Sequence, residues 1–143
     1  MERILDWNKY LDTAAKMVSE GIVMLKNENN ALPLDTDKEV AVFGRIQFHY
    51  YKSGTGSGGM VNVTKVVNIL DGLIDNGVKV NEKLLDTYRK WDKENPFDLG
   101  EGWGGEPWSQ KEMPLDEGLV KETAKSCETA IVIIGRTAGE EQD

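Results

Sequence analysis

Three carboxylates lie within the last four residues of the chain, at Glu140, Glu141 and Asp143. They follow the apolar, β-branched run 129–135, which predicts a strand. At the exit of a parallel strand, a carboxyl group that burial or a neighbouring charge keeps neutral can serve as a general acid or base. Spacing alone nevertheless favours a solvated acidic loop. A magnesium or calcium site is the weaker alternative, because no second acidic cluster supports it.

A second candidate is the glycine- and serine-rich loop 52–59, with Lys52, Ser57 and Gly58. Backbone amides in such a loop can hold a phosphate when the loop opens a helix. The spacing matches neither the dinucleotide fingerprint nor the ATP-type loop. A plain turn and a loop that lines some other ligand pocket remain the alternatives.

The third candidate is the segment 95–114, which has no periodicity and carries Trp103 and Trp108 among glycines. Long loops of this kind are often functional. The two indoles suit either stacking against a sugar ring or anchoring of the loop. His49 is the only histidine, and without a nearby cysteine or second histidine it suits a ligand contact better than a metal site. We therefore expect no metal and no cofactor.

The elements that position these residues alternate between strands and helices. Helices are predicted over 7–20, over the apolar stripe from 63 to 77, after Asn81, and from Asp116 to Cys127. Strands are predicted at 22–25, 39–44 and 129–135, and uninterrupted β-branched runs suit strands buried on both faces. This order predicts an α/β fold, a layered sandwich with a mostly parallel sheet.

Composition narrows the classes of function. The 143 residues, 39 % of them hydrophobic, suit one domain. A formal net charge of −8 argues against nucleic-acid binding. No apolar run is long enough for a membrane span and no signal-peptide pattern opens the chain, so a cytoplasmic location is expected. With Cys127 as the only cysteine, no internal disulfide can form.

Taken in order, five motifs resemble the α/β sandwich domain of glycoside hydrolase family 3. They are SEGIVMLKN (19–27), LPL (32–34), VAVFG (40–44), GTGSG (54–58) and the closing GEEQD (139–143). The last motif resembles the Gly-Glu-Gly-x-Asp loop of that family. The resemblance spans nearly the whole chain.

The resemblance implies a retaining β-glycosidase whose nucleophile is an aspartate in a separate (β/α)8 barrel. Its general acid/base falls on Glu140, which we prefer to Glu141, a position where the family usually has glycine. It also implies substrate contacts, which we assign to Lys52, Ser57, Gly58, Trp103, Trp108, Glu141 and Asp143.

In most of the family the barrel comes first, but here only a short lead precedes the first predicted helix, as in the family members that have the reversed order. We therefore expect residues 1–143 to be an incomplete sandwich domain with the barrel downstream in the same polypeptide. The expected function is that of a β-glucosidase or β-xylosidase fragment, inactive alone, acting on a β-linked glucoside or xyloside. The alternative is a non-catalytic module that binds an anionic ligand at loop 52–59. A homo-oligomer is left open.

Overall fold

The computed structural model describes residues 5–52, 54–59 and 61–139. The chain forms two compact units, Met1–Leu34 and Asp35–Asp143. None of the described helices has the length and apolar content needed to cross a bilayer.

The first unit contains helix α1, Trp7–Gly21, close to the predicted range. Its N-terminus is capped by Asp6, whose carboxylate accepts a hydrogen bond from the Lys9 amide at 3.1 Å. A turn follows in which the Asn27 side chain donates to the Leu32 carbonyl and accepts from the Leu32 amide.

The strand predicted at 22–25 is wrong, because these residues adopt no regular secondary structure. A strand needs a neighbour to pair its backbone groups, and no strand is described elsewhere in residues 5–34. An apolar run by itself does not supply that neighbour.

The second unit is built on a three-stranded parallel sheet, so the predicted α/β fold class is confirmed. Its strands are β1, Glu39–Phe43, β2, Lys79–Val80, and β3, Thr129–Val132, in the order β2-β1-β3. Its helices are α2, Ile69–Asp75, α3, Glu82–Glu94, and α4, Glu117–Ser126.

Side-chain caps set where these helices begin. Asn81 caps α3, which begins after it as predicted, and Asp116, the predicted first residue of α4, is its N-cap. The Asn68 side chain accepts from the Asp71 amide at 2.7 Å, so α2 starts after Asn68 and not at the beginning of the apolar stripe 63–77. Residues 95–114 contain no helix or strand, as predicted.

The core lies where α3 and α4 cover the central strand. Ala41 of β1 belongs to one buried cluster with Leu84, Tyr88, Met113 and Cys127. The Tyr88 hydroxyl accepts a hydrogen bond from the Gly44 amide at 3.0 Å. The end of β1 is thereby tied to the middle of α3.

Strand β3 differs from expectation in length and burial. Gly44, at φ 108°, turns the chain away from β1 into a 3-10 turn, and the Ile133 amide makes the last bond, to Phe43. The ladder therefore ends at Val132 and not at 135. The expectation of burial on both faces is confirmed for β1, where Val40, Ala41 and Val42 are buried, but it is wrong for β3, where Val132 is 68 % exposed.

Candidate active site

The segment that leads toward the acidic residues is held between two loops. On one side, Thr55 forms a parallel bridge with Gly139, and the Thr55 amide donates to the Ala138 carbonyl at 3.1 Å. On the other side, Ser109 forms an antiparallel bridge with Arg136. Residues 136–139 thus continue beyond β3 as the middle of three paired segments.

The first of these contacts requires glycine on both sides. A Cβ on Gly54 would lie 2.5 Å from the Ala138 carbonyl oxygen, and one on Gly139 would lie 2.2 Å from the Thr55 hydroxyl. Distances below 3.0 Å are essentially never seen for a real Cβ, so neither position has room for a side chain. The two backbones can approach this closely only as glycines.

Loop 54–59 forms a 3-10 turn, Gly56–Gly59, that includes Ser57 and Gly58. Lys52, just before it, donates through Nζ to the Val61 carbonyl at 2.5 Å. The loop does not open a helix, since α2 begins only at Ile69. The helix dipole that would favour a phosphate is therefore not available to it.

The segment 95–114, which carries Trp103 and Trp108 and which we call the tryptophan loop, lies against both segment 136–139 and loop 54–59. The Arg136 guanidinium sits over the Trp108 ring at 5.4 Å, and the Thr137 amide donates to the Trp108 carbonyl at 2.8 Å. A Cβ on Gly104, next to Trp103, would lie 3.6 Å from the Gly56 Cα. The structure brings together the two loops named from the sequence and the segment 136–139, although both indoles remain exposed.

The three acidic residues Glu140, Glu141 and Asp143 lie outside the described residues. Their assigned roles stay predictions, as do the substrate contacts assigned to Lys52, Ser57, Gly58, Trp103 and Trp108. Within residues 5–52, 54–59 and 61–139 there is no group of three side chains suited to hold a metal ion.

Sequence reasoning missed a buried arginine at the carboxyl end of β1. Arg45 is 1 % exposed, and its guanidinium donates to the Asp92 carboxylate and to the Asn95 carbonyl, both at 2.7 Å. It also donates to the Lys111 carbonyl at 3.0 Å. Arg45 therefore fixes the end of α3 and the far end of loop 95–114 to β1.

The position of Arg45 in the sequence could have identified it, because it follows β1 almost directly. Ligand sites in parallel sheets lie beyond the carboxyl ends of the strands. Asp92 is shared with His49, whose Nε2 lies 2.8 Å from the second carboxylate oxygen. His49 is thus held by a charged side chain, and its ring stacks on Phe97 with centroids 4.6 Å apart.

Two tyrosines near this end of the sheet have perturbed hydroxyl groups. Burial raises the pKa of Tyr51, while the nearby Gln110 side chain opposes the rise. Burial also raises the pKa of Tyr88, while the Gly44 amide opposes it. Burial has the larger effect in both tyrosines, so both phenol groups stay protonated to a higher pH than an exposed tyrosine does.

This fold and these converging loops define a class of protein, a parallel α/β domain with a loop-built cleft at the carboxyl ends of its strands. Residues 22–143 match the model for the glycosyl hydrolase family 3 C-terminal domain. The chain belongs to glycosyl hydrolase family 3, and the resemblance seen in the sequence is confirmed.

Relatives agree with this assignment. The chain is 63 % identical over 139 residues to a β-glucosidase of Ruminococcus albus, covering 97 % of the chain and 15 % of that protein. It is 32 % identical over 144 residues to β-glucosidase A of Butyrivibrio fibrisolvens, covering 99 % of the chain and 17 % of that protein. The chain thus spans about one sixth of the length of these relatives.

Solved structures show the same fold. A β-glucosidase from Paenibacillus barengoltzii superposes with a TM-score of 0.86 at 52 % identity, over 99 % of this chain and 15 % of that one. β-Glucosidase 3B from Thermotoga neapolitana in complex with glucose gives 0.77 at 30 % identity, over 94 % and 19 %.

Proposed function

We propose that the chain supplies the general acid/base of a retaining β-glucosidase, with Glu140 as that residue. Glu140 first protonates the oxygen of the leaving group. As a carboxylate it then activates the water that releases the sugar from the covalent intermediate. The nucleophile comes from a barrel domain of the same polypeptide, so this chain by itself is inactive.

The observation that carries the proposal is the double support of segment 136–139. Thr55 and Ser109 pair with it from opposite sides, so the segment is held in place as far as Gly139. A retaining glycosidase needs its two carboxyl groups roughly 5–5.5 Å apart, and such a distance demands a well-placed loop. The names of the relatives supply the substrate class, a β-linked glucoside.

The test uses a hybrid enzyme in which this chain replaces the matching 139 residues of the Ruminococcus albus β-glucosidase. We expect the hybrid to hydrolyse cellobiose and nitrophenyl β-glucoside, and the isolated chain to hydrolyse neither. Nitrophenyl β-xyloside, assayed in parallel, tests the choice of glucoside over xyloside. A hybrid that folds but cannot hydrolyse any of the three contradicts the proposal.

Replacing Glu140 by Gln in the hybrid is expected to lower kcat/KM for cellobiose by about 10²–10⁴-fold. Azide should restore turnover of nitrophenyl β-glucoside and give β-glucosyl azide, because azide attacks the intermediate without a base. Glu141→Gln is the matched control. If Glu141→Gln shows this loss and azide rescue while Glu140→Gln does not, the acid/base has been assigned to the wrong residue.

A further inference from the structure

The end of β1 and the tryptophan loop are joined at Arg45. Nη1 of its guanidinium donates to the Lys111 carbonyl, and its backbone amide donates to the Glu112 carboxylate, both at 3.0 Å. Two neighbouring residues of the loop are therefore bonded to two different donors of the same arginine. The position of this part of the loop follows the position of Arg45.

The same part of the tryptophan loop holds the segment that leads to the acidic residues. Ser109 forms the bridge with Arg136, and the Trp108 carbonyl accepts a hydrogen bond from the Thr137 amide at 2.8 Å. Ser109 lies two residues before Lys111 in the chain. A shift at Lys111 is therefore passed to segment 136–139 over a very short length of backbone.

The guanidinium of Arg45 is a rigid anchor. Arg45 is 1 % exposed, and its guanidinium carbon lies 4.9 Å from the Trp91 ring centroid and 5.4 Å from the Phe97 ring centroid. Nη2 donates to the Asp92 carboxylate and to the Asn95 carbonyl, both at 2.7 Å. The two rings and these bonds fix the plane of the guanidinium, so Nη1 is held in one direction.

We infer that Arg45 is a positioning residue for the general acid/base, because it sets the place of segment 136–139 through the tryptophan loop. The inference rests on the proposed function, in which Glu140 follows that segment. A misplacement of about 1 Å can cost about 10²-fold in rate. A general acid contributes about 10²–10⁴-fold, so its misplacement is measurable even when the domain stays folded.

The experiment measures the ratio of kcat/KM for cellobiose to kcat/KM for dinitrophenyl β-glucoside in the hybrid enzyme. The sugar that leaves from cellobiose is a strong base and needs a proton from the acid, whereas dinitrophenolate leaves without one. A misplaced acid therefore lowers the ratio. A loss of folded enzyme lowers both values together and leaves the ratio unchanged, so the ratio separates positioning from stability.

Arg45→Lys is the test variant. Its single ammonium group can stay beside Asp92, but it cannot also replace the Nη1 bond to the Lys111 carbonyl. We expect the ratio to fall about tenfold or more. Asn81→Ala is the control, because it removes the cap at the opposite end of α3 and lies outside this series of contacts. It should leave the ratio within about twofold.

If Arg45→Lys does not fold, Glu112 carries the same test. Its side chain is exposed, so its replacement leaves the core intact. Glu112→Ala removes the acceptor of the Arg45 amide and should lower the ratio about threefold or more. Glu112→Gln keeps an acceptor oxygen at the same place and should leave the ratio within about twofold.

A ratio that stays unchanged in Arg45→Lys, or that falls equally in Asn81→Ala, overturns the inference. In the second test, equal ratios in Glu112→Ala and Glu112→Gln overturn it. Failure of the proposed function looks different, because Glu140→Gln would then leave the ratio unchanged. If only the inference fails, Glu140→Gln lowers the ratio while Arg45→Lys does not.

Discussion

Replacing Gly54 by alanine tests whether loop 54–59 and segment 136–139 approach each other as closely as the structure shows. The new Cβ would lie 2.5 Å from the Ala138 carbonyl oxygen, so the two backbones must move apart until that distance is about 3.4 Å. The same movement lengthens the hydrogen bond between the Thr55 amide and the Ala138 carbonyl from 3.1 Å to about 4 Å, which breaks it. Overpacking costs about 1–3 kcal/mol and the lost bond about 0.5–1.5. The reduced freedom of the unfolded chain returns about 0.4–1. The net loss is about 0.5–4 kcal/mol.

Gly58→Ala in the same loop is the control, because a Cβ there meets no atom within 4 Å. Amide hydrogen exchange at Thr55 reads the contact directly, and urea unfolding followed by tryptophan fluorescence reads global stability. Gly54→Ala should speed exchange at Thr55 at least tenfold, equivalent to about 1.4 kcal/mol, while Gly58→Ala changes it little. Equal exchange in the two variants would show that the loops do not touch in this way.

Three further predictions concern the frame around the site, each measured by urea unfolding. Arg45→Met should cost about 3–5 kcal/mol, because it leaves the buried bonds to Asp92 and two carbonyls unmade; a loss below 1 kcal/mol would mean that the guanidinium is not buried. Tyr88→Phe should cost about 1–3 kcal/mol at pH 7, because the Gly44 amide loses its acceptor. Burial raises the pKa of Tyr88 above 10.0, so above pH 10 the unfolded chain loses this proton first and stability falls; Tyr88→Phe should weaken that fall, and an unchanged slope would contradict the burial. Asn81→Ala should cost about 1–2 kcal/mol by removing the cap of α3, whereas equal stability would argue against the cap.

Local chemistry in the sequence was enough to place most helices. Asp6, Asn81 and Asp116 are short polar side chains just before amphipathic runs, and each caps the helix that follows. Capping acts over three residues, so it can be read without knowledge of the fold. The same holds for the central strand β1, whose apolar run matches its burial. The order of the five motifs was likewise enough to identify the family.

Where strands pair was decided by the tertiary structure. Residues 22–25 are as apolar as a strand but are described without a partner, while Lys79–Val80 is too short to show a pattern and still pairs with β1. Strand β3 stops at Val132 because Gly44 turns its neighbour away. Pairing depends on a distant segment, and periodicity reports only on a segment's own side chains.

The acidic end of the chain shows the same division. Residue types and the motif at 139–143 were enough to name Glu140 as the preferred acid/base, with Glu141 beside it. Only the fold brought Thr55 and Ser109 to opposite sides of segment 136–139. These contacts join residues far apart in sequence. Their closeness is fixed by how β1 and β3 lie side by side, which no single stretch of sequence encodes.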